Sequence, residues 1–120
     1  MGVESTLAFG PIMIKDGEVT ESSTKQGLYK NPRLSIGMVE KGHYWVVMAE
    51  GRSDVSNGAT IPMMTEMLQE KGCSLAFNLD GGGSACLVFM GNQITRIGNA
   101  RASTKSARST PEMICIGTSL

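Results

Sequence analysis

The stretch FNLDGGGSACLVFM, Phe77 to Met90, decides how the rest of the chain reads. An apolar run (Leu75, Ala76, Phe77) meets the polar turn Asn78-Leu79-Asp80-Gly81-Gly82-Gly83-Ser84, and an apolar run resumes from Ala85 to Met90. Consecutive glycines between two strand-like runs are costly, because glycine loses the most backbone freedom on folding. They are expected where the backbone needs unusual dihedrals or where another group must approach closely. Asn78, Asp80 and Ser84 place an amide, a carboxylate and a hydroxyl around those bare N–H groups. A tight strand-to-strand turn without chemistry is the plain alternative.

Working outward, Leu7 to Lys15 (LAFGPIMIK) is strand-like, and Asp16-Gly17 is a hairpin signal. Pro11 within that run argues for an edge strand or a bulge. Glu18 to Asn31 is polar and reads as a loop. Arg33 to Val39 and Tyr44 to Ala49 read as strands joined by Glu40-Lys41-Gly42-His43, the second (YWVVMA) apolar enough for burial on both faces. Thr60 is a plausible N-cap, and Pro62 suits a first helical turn. Met63, Met64, Met67 and Leu68 form an apolar stripe at helical spacing that reads as core, and Gly72 ends the helix. Downstream, Gly91-Asn92 closes a hairpin into Gln93 to Ile97, Gly98 to Pro111 is a loop, and Glu112 to Gly117 is a last strand. The class is α+β: a mostly antiparallel sheet of about six short strands with one main helix, Thr60 to Lys71, in a single domain over 1–120.

Composition narrows the function classes. Hydrophobic content of 41% and charged content of 18% are globular values. Formal net charge is zero, so overall charge gives no sign of a nucleic-acid partner. The apolar runs are strand-sized, so no membrane span is expected. Met1-Gly2-Val3-Glu4-Ser5 lacks the basic start and apolar region of a signal peptide, which leaves the compartment unknown. Cys73, Cys86 and Cys115 include no Cys-x-x-Cys pair, and with a single histidine a zinc site is not expected. Cys86 and Cys115 read as buried free thiols in apolar runs.

Two themes carry chemistry. Glu50 and Asp80 each end an apolar strand and precede glycine, and both reach one rim if their strands are neighbours in a sheet. A carboxylate at such a strand end can act as general base, nucleophile or metal ligand, or simply cap a turn. The second theme is arginine. Arg33 and Arg52 stand at strand ends, and Arg96, Arg101, Lys105 and Arg108 lie in a stretch without acids. Arginine's planar fork suits phosphate oxygens, although most such loops are merely solvated. Gly81-Gly82-Gly83-Ser84 lacks the lysine and helix of a phosphate-cradling P-loop, and Gly82-Gly83-Ser84-Ala85-Cys86 lacks the last glycine of a nucleophile elbow. His43, in a turn beside charges, reads as a surface residue, which leaves a Ser-His-Asp triad without support.

These residues together resemble the phosphodiester glycosidase family. Asn78-Leu79-Asp80-Gly81-Gly82-Gly83-Ser84 before an apolar strand is similar to its signature, and further elements follow in order. They are Leu7-Ala8-Phe9-Gly10-Pro11 with Ile14-Lys15-Asp16-Gly17, then Pro32-Arg33-Leu34-Ser35-Ile36-Gly37, Ala49-Glu50-Gly51-Arg52, and Arg108 before the closing strand. Glu50 stands where the family usually has aspartate. The element expected upstream of Leu7 (Asn-Gly-Gly-Phe-Phe-like) is absent, so the chain resembles the C-terminal portion of the domain. The family includes the enzyme that uncovers mannose 6-phosphate by removing N-acetylglucosamine, and bacterial relatives linked to exopolysaccharides.

The resemblance implies a hydrolase acting on a sugar 1-phosphodiester. Asp80 and Glu50 would be its catalytic pair, with Asp80 at the anomeric centre and Glu50 as partner or orienting group. Arg33, Arg52 and Arg108 would hold the phosphate, and Asn78, Gly81, Gly82, Gly83 and Ser84 would line the sugar or brace the turn. No cofactor is called for, the oxygen-rich turn being the one place that could take a divalent cation such as calcium. The competing readings are a non-catalytic phosphoglycan-binding module and a half-domain that works as a homo-oligomer or with a separate N-terminal half.

Overall fold

The computed structural model describes residues 2, 6–98, 108–110 and 113–117. Its main sheet is built from β1 (Ile12–Lys15), β2 (Glu18–Val19), β3 (Arg33–Glu40), β4 (His43–Ala49) and β5 (Leu75–Asn78). The order across it is β2-β1-β5-β3-β4, and every neighbouring pair is antiparallel. β6 (Val88–Phe89) and β7 (Asn92–Gln93) form a separate two-stranded ribbon. Two helices, α1 (Glu21–Lys25) and α2 (Ile61–Glu70), complete an α+β fold whose main helix is α2. Because β3 runs antiparallel to both β4 and β5, its first residues lie beside the last residues of each. That topology builds the rim on which the site stands.

The core lies between the sheet and α2. Thr60 caps the helix by accepting from Met63 N at 3.2 Å, with Pro62 in the first turn. Met64 and Leu68 are fully buried against Met13, Ile14, Ala76 and Cys73. Gly37 permits the close approach, since a Cβ there would stand 2.6 Å from Cys73 Sγ. Leu68→Ala is expected to lower stability by about 2–5 kcal/mol, read from the urea midpoint. A loss below about 1 kcal/mol would mean that α2 is not seated as described.

Several expectations need correction. Met63 and Met67 are 41% and 36% exposed, so the buried stripe is Ile61, Met64, Thr65 and Leu68. Met63 and Met67 lie on the side of the helix that no described residue covers, so the helix buries only this narrow edge. β4 is not buried on both faces: it is the outermost strand, and Tyr44, Trp45 and Val46 are exposed. The polar stretch from Glu18 holds β2 and α1, the latter stabilised by Thr20 accepting from Ser23 N at 3.3 Å and by the Glu21–Lys25 pair. Propensity hides such a helix, because serine and threonine favour caps over helix interiors. The runs from Leu7, Ala85 and Gln93 shorten to β1, β6 and β7, and the ribbon turns at Met90-Gly91, with Phe89 opposite Asn92. Pro11 does precede a bulge, between Ile12 and Ile14. Met113 to Gly117 form no strand, and Glu112 lies outside the described residues. Cys115 is exposed and Cys86 only partly buried, whereas Cys73 is buried, its thiol pushed up by desolvation. Among the described residues no helix is long and apolar enough to cross a membrane.

Candidate functional site

Three chain segments meet at the rim: Asn31-Pro32-Arg33 entering β3, Glu50-Gly51-Arg52 leaving β4, and Asn78 to Ser84 leaving β5. Buried Pro32 is their floor. Its carbonyl accepts from Gly82 N at 2.9 Å. Gly81 passes so close that a Cβ would stand 2.5 Å from the same oxygen. Gly82 takes the left-handed conformation (φ +59°), and a Cβ there would lie 3.1 Å from the Arg52 guanidinium. Both glycines are therefore required physically, one for approach and one for conformation. Gly83 and Ser84 follow in a 3₁₀ turn closed by Ser84 N donating to Gly81 O at 3.1 Å.

Asp80 stands on the outer side of this turn. Its Oδ1 accepts from Gly81 N at 2.8 Å, and its Oδ2 faces Arg108 Nη2 at 3.3 Å. The ion pair is open to solvent, with Asp80 29% and Arg108 65% accessible. Arg108 is tied down by its Nε donating to Ser84 Oγ at 3.0 Å and its backbone N donating to Gly83 O at 2.8 Å.

Arg52 approaches the same turn at Gly82. Its backbone is left-handed (φ +52°), a conformation non-glycine residues adopt at a cost, and one common at functional sites. Nε and Nη2 both donate to Asn31 Oδ1, at 3.2 and 2.8 Å, which locks the fork beside Gly82. Arg33 shares the rim, but its donors go to the carbonyls of Ala59 (3.3 Å), Tyr29 (3.1 Å) and Gly27 (3.5 Å). Burial, and then the neighbouring Arg52 guanidinium, push the Arg33 pKa down from its ordinary value. Two cations that repel one another make the rim receptive to an anion.

The remaining sequence candidates are placed differently. Glu50 and Asp80 share the rim, yet their strands are not neighbours, because β3 lies between them. That separates the strand ends by two spacings, about 10 Å. Glu50 instead accepts from Arg96 N at 2.8 Å and holds the chain leaving β7. Asn78 is buried, pairs with Ser35 in the register, and donates to Gly10 O at 2.9 Å. Arg101 and Lys105 of the basic stretch lie outside the described residues.

Sequence reasoning missed Asn31 and Pro32 as parts of the site. The only local signal is the Asn-Pro step before Arg33, since their roles depend on segments distant in the chain. Gly51, Gly58 and Gly98 were missed likewise; they pack against Pro32, Asn31 and one another with no room for a Cβ. Among the described residues no group of three histidines, cysteines or acids gathers as a metal site. A shallow hollow of about 590 Å³ between the start of β1 and α1 is lined by Phe9, Pro11, Ile12 and Gln26 but has no ionisable group.

Known proteins resemble this chain in sequence and in fold. A family model described as phosphodiester glycosidase matches residues 1–117. The SPbeta prophage-derived uncharacterized protein YomE of Bacillus subtilis (strain 168) is 34% identical over 99 residues, covering 80% of this chain and 15% of that protein. The catalytic domain of zebrafish N-acetylglucosamine-1-phosphodiester alpha-N-acetylglucosaminidase, auto-inhibited by its pro-peptide, matches with a TM-score of 0.64 at 20% identity, a likeness of fold. It takes in 81% of this chain and 36% of that one. A hypothetical protein from Synechocystis has a TM-score of 0.57 and 26% identity over 74% of this chain and 18% of its own. The chain thus spans a minor part of each of these relatives' length. With the family model matched from Met1 to Gly117, this chain belongs to the phosphodiester glycosidase family.

Proposed function

We propose that the chain hydrolyses the glycosidic bond of a sugar 1-phosphodiester, releasing free sugar and a phosphomonoester. The observation that carries this reading is the convergence of Asp80 with the guanidiniums of Arg52 and Arg108 on one glycine turn. The bond between C1 and the bridging oxygen breaks, and its electron pair leaves with the phosphate. Water oxygen bonds to C1, and its proton passes to the Asp80 carboxylate and on to solvent. A phosphomonoester departs with little protonation, so one carboxylate can serve where most glycosidases use two. The same charge stabilises the oxocarbenium-like centre.

Arg52 and Arg108 hold the non-bridging oxygens in this scheme. The Asp80–Arg108 contact of 3.3 Å is long for a charge-assisted pair, and both groups are accessible. An arriving phosphate can take Arg108 and leave Oδ2 free for the anomeric centre. Arg33 adds positive field, Glu50 orients the segment at Arg96, Ser84 positions Arg108, and Asn78 braces the strand that presents Asp80. N-acetylglucosamine, named in the zebrafish relative's activity, is the first sugar to try.

The test is incubation with the methyl phosphodiester of N-acetylglucosamine 1-phosphate, followed by phosphorus NMR and a reducing-sugar assay. Equal amounts of sugar and methyl phosphate are expected. Saturable binding without release would replace hydrolysis by a non-catalytic phosphoglycan-binding module. Arg52→Lys keeps the charge but loses the fork, and is expected to weaken binding of methyl phosphate about 10- to 100-fold in calorimetry. Unchanged affinity would remove Arg52 from the phosphate site.

A further inference from the structure

We propose that Asn31 is a positioning residue for phosphate binding: its side-chain amide holds the Arg52 guanidinium in place without cancelling its charge. This role rests on the reading of the rim as a phosphate site, and it falls to a residue that need not touch the substrate. Asn31 Oδ1 accepts from both Nε and Nη2 of Arg52, at 3.2 and 2.8 Å. That edge of the fork suits the two oxygens of a carboxylate. A neutral oxygen occupies it here. Among the described residues nothing accepts from Nη1, which is the guanidinium atom nearest Gly82, 3.1 Å from where a Cβ would stand. The clamp thus spends one side of the guanidinium and leaves a donor beside the glycine turn.

The amide can serve as an anchor because its own backbone is fixed. Asn31 N donates to Ala59 O at 3.1 Å, and Ala59 N donates to Asn31 O at 2.9 Å. Pro32 follows, and a residue before proline is confined to extended backbone. The loop that carries Arg52 is pinned as well, since Ser56 Oγ donates to Glu50 O at 2.7 Å and accepts from Gly58 N at 3.2 Å. Arg33 hangs from the same bridge. Ala59 O, which accepts from Asn31 N, also accepts from Arg33 Nε at 3.3 Å. Both arginines are therefore tethered through Nε and Nη2 to neutral oxygens.

Charge explains why the acceptor is an amide. The ion pairs among the described residues are Lys25–Glu21 and Arg108–Asp80, so no carboxylate cancels the charge of Arg33 or Arg52. Glu50 accepts from Arg96 N instead, and exposed Asp54 is in neither pair. Burial first, and then the Arg52 guanidinium, hold the Arg33 pKa below its ordinary value, as expected for close cations without a carboxylate between them. Two such cations repel each other, and an arriving anion relieves the repulsion. A carboxylate in place of the Asn31 amide would bind Arg52 more strongly and remove that attraction. The amide fixes the geometry and leaves the field intact.

Two variants, Asn31→Asp and Asn31→Ala, separate position from charge, with sulfate as the probe because its charge is constant around neutral pH. Calorimetry reads the affinity, a thermal melt reads stability, and the Arg52 Nε–H signal in heteronuclear NMR reports the clamp. Asn31→Asp should keep the melt and the Nε–H signal of the unmodified chain, yet bind sulfate about 10-fold or more weakly, from one negative charge set beside the anion. Asn31→Ala should lose the signal and weaken sulfate about 2- to 10-fold, the cost of ordering a freed arginine on binding. If Asn31 were only a structural tie, Asn31→Asp would bind sulfate as the unmodified chain does. That result, in a chain whose binding falls with Arg52→Lys, would overturn the role of Asn31 and leave the phosphate site standing. An unchanged Nε–H signal in Asn31→Ala would overturn it too, since Arg52 would then be held by something else. No sulfate binding by the unmodified chain, with the Nε–H signal present, would overturn the phosphate site itself and the role of Asn31 with it.

Discussion

Asp80→Asn is expected to abolish release of sugar from a sugar 1-phosphodiester while leaving the fold in place. The substitution is nearly isosteric, and the amide oxygen can still accept from Gly81 N. On the proposed reading, what disappears is the negative charge facing the position where positive charge develops in the transition state. Removing one preorganised electrostatic contact of this kind costs about 10²–10³ in rate, and removing the group that also takes the water proton costs more. The structural cost is small, because the Asp80–Arg108 pair is exposed and such pairs contribute about 0–1 kcal/mol. Turnover and a thermal melt on the same preparation separate the two effects. Unchanged turnover would take Asp80 out of the chemistry, and a collapsed melt would give the residue a structural role.

Gly58→Ala is expected to give the largest loss of stability of any single methyl addition near the rim. Gly58 is left-handed at φ +97°, and a Cβ there would stand 2.3 Å from Asn31 O and 2.4 Å from Asn31 C, both backbone atoms that cannot swing away. The next residue, Ala59, exchanges two backbone hydrogen bonds with Asn31, at 3.1 and 2.9 Å. Conformational strain alone costs about 1–2 kcal/mol, and the collision should bring the total to about 3 kcal/mol or more. Gly42→Ala is the control. Gly42 has nearly the same φ (+88°) but open space around it, so only the strain should appear. Because Asn31 also clamps Arg52, Gly58→Ala should weaken phosphate binding as well, whereas Gly42→Ala should not. Equal losses at the two positions would contradict the close packing beneath the site.

How legible these features are in the sequence depends on whether their cause is local. The periodicity of Arg33 to Val39, Tyr44 to Ala49 and Met63 to Leu68 places β3, β4 and α2 within a residue or two. Asp80 on its glycine turn and Arg52 can be picked out from residue types at strand ends, whereas Arg108 sits in a basic loop and is tied to them only by the family resemblance. Pro32 and Asn31 cannot, since their value lies in a carbonyl and an amide oxygen met by segments tens of residues away. The neighbour relation of the Glu50 and Asp80 strands fails for the same reason, because strand order is a tertiary property. The apolarity of YWVVMA is plain in the sequence, but its placement at an open edge is visible only in three dimensions.

The most direct measurement is hydrolysis of a sugar 1-phosphodiester in ¹⁸O-labelled water, with the label located in the products by mass spectrometry. Attack at the anomeric carbon places ¹⁸O on C1 of the released sugar and none in the phosphomonoester, and Asp80→Asn should yield neither product. Label in the phosphomonoester would mean that phosphorus is attacked, and would contradict the role given to Asp80 and its arginine-lined rim.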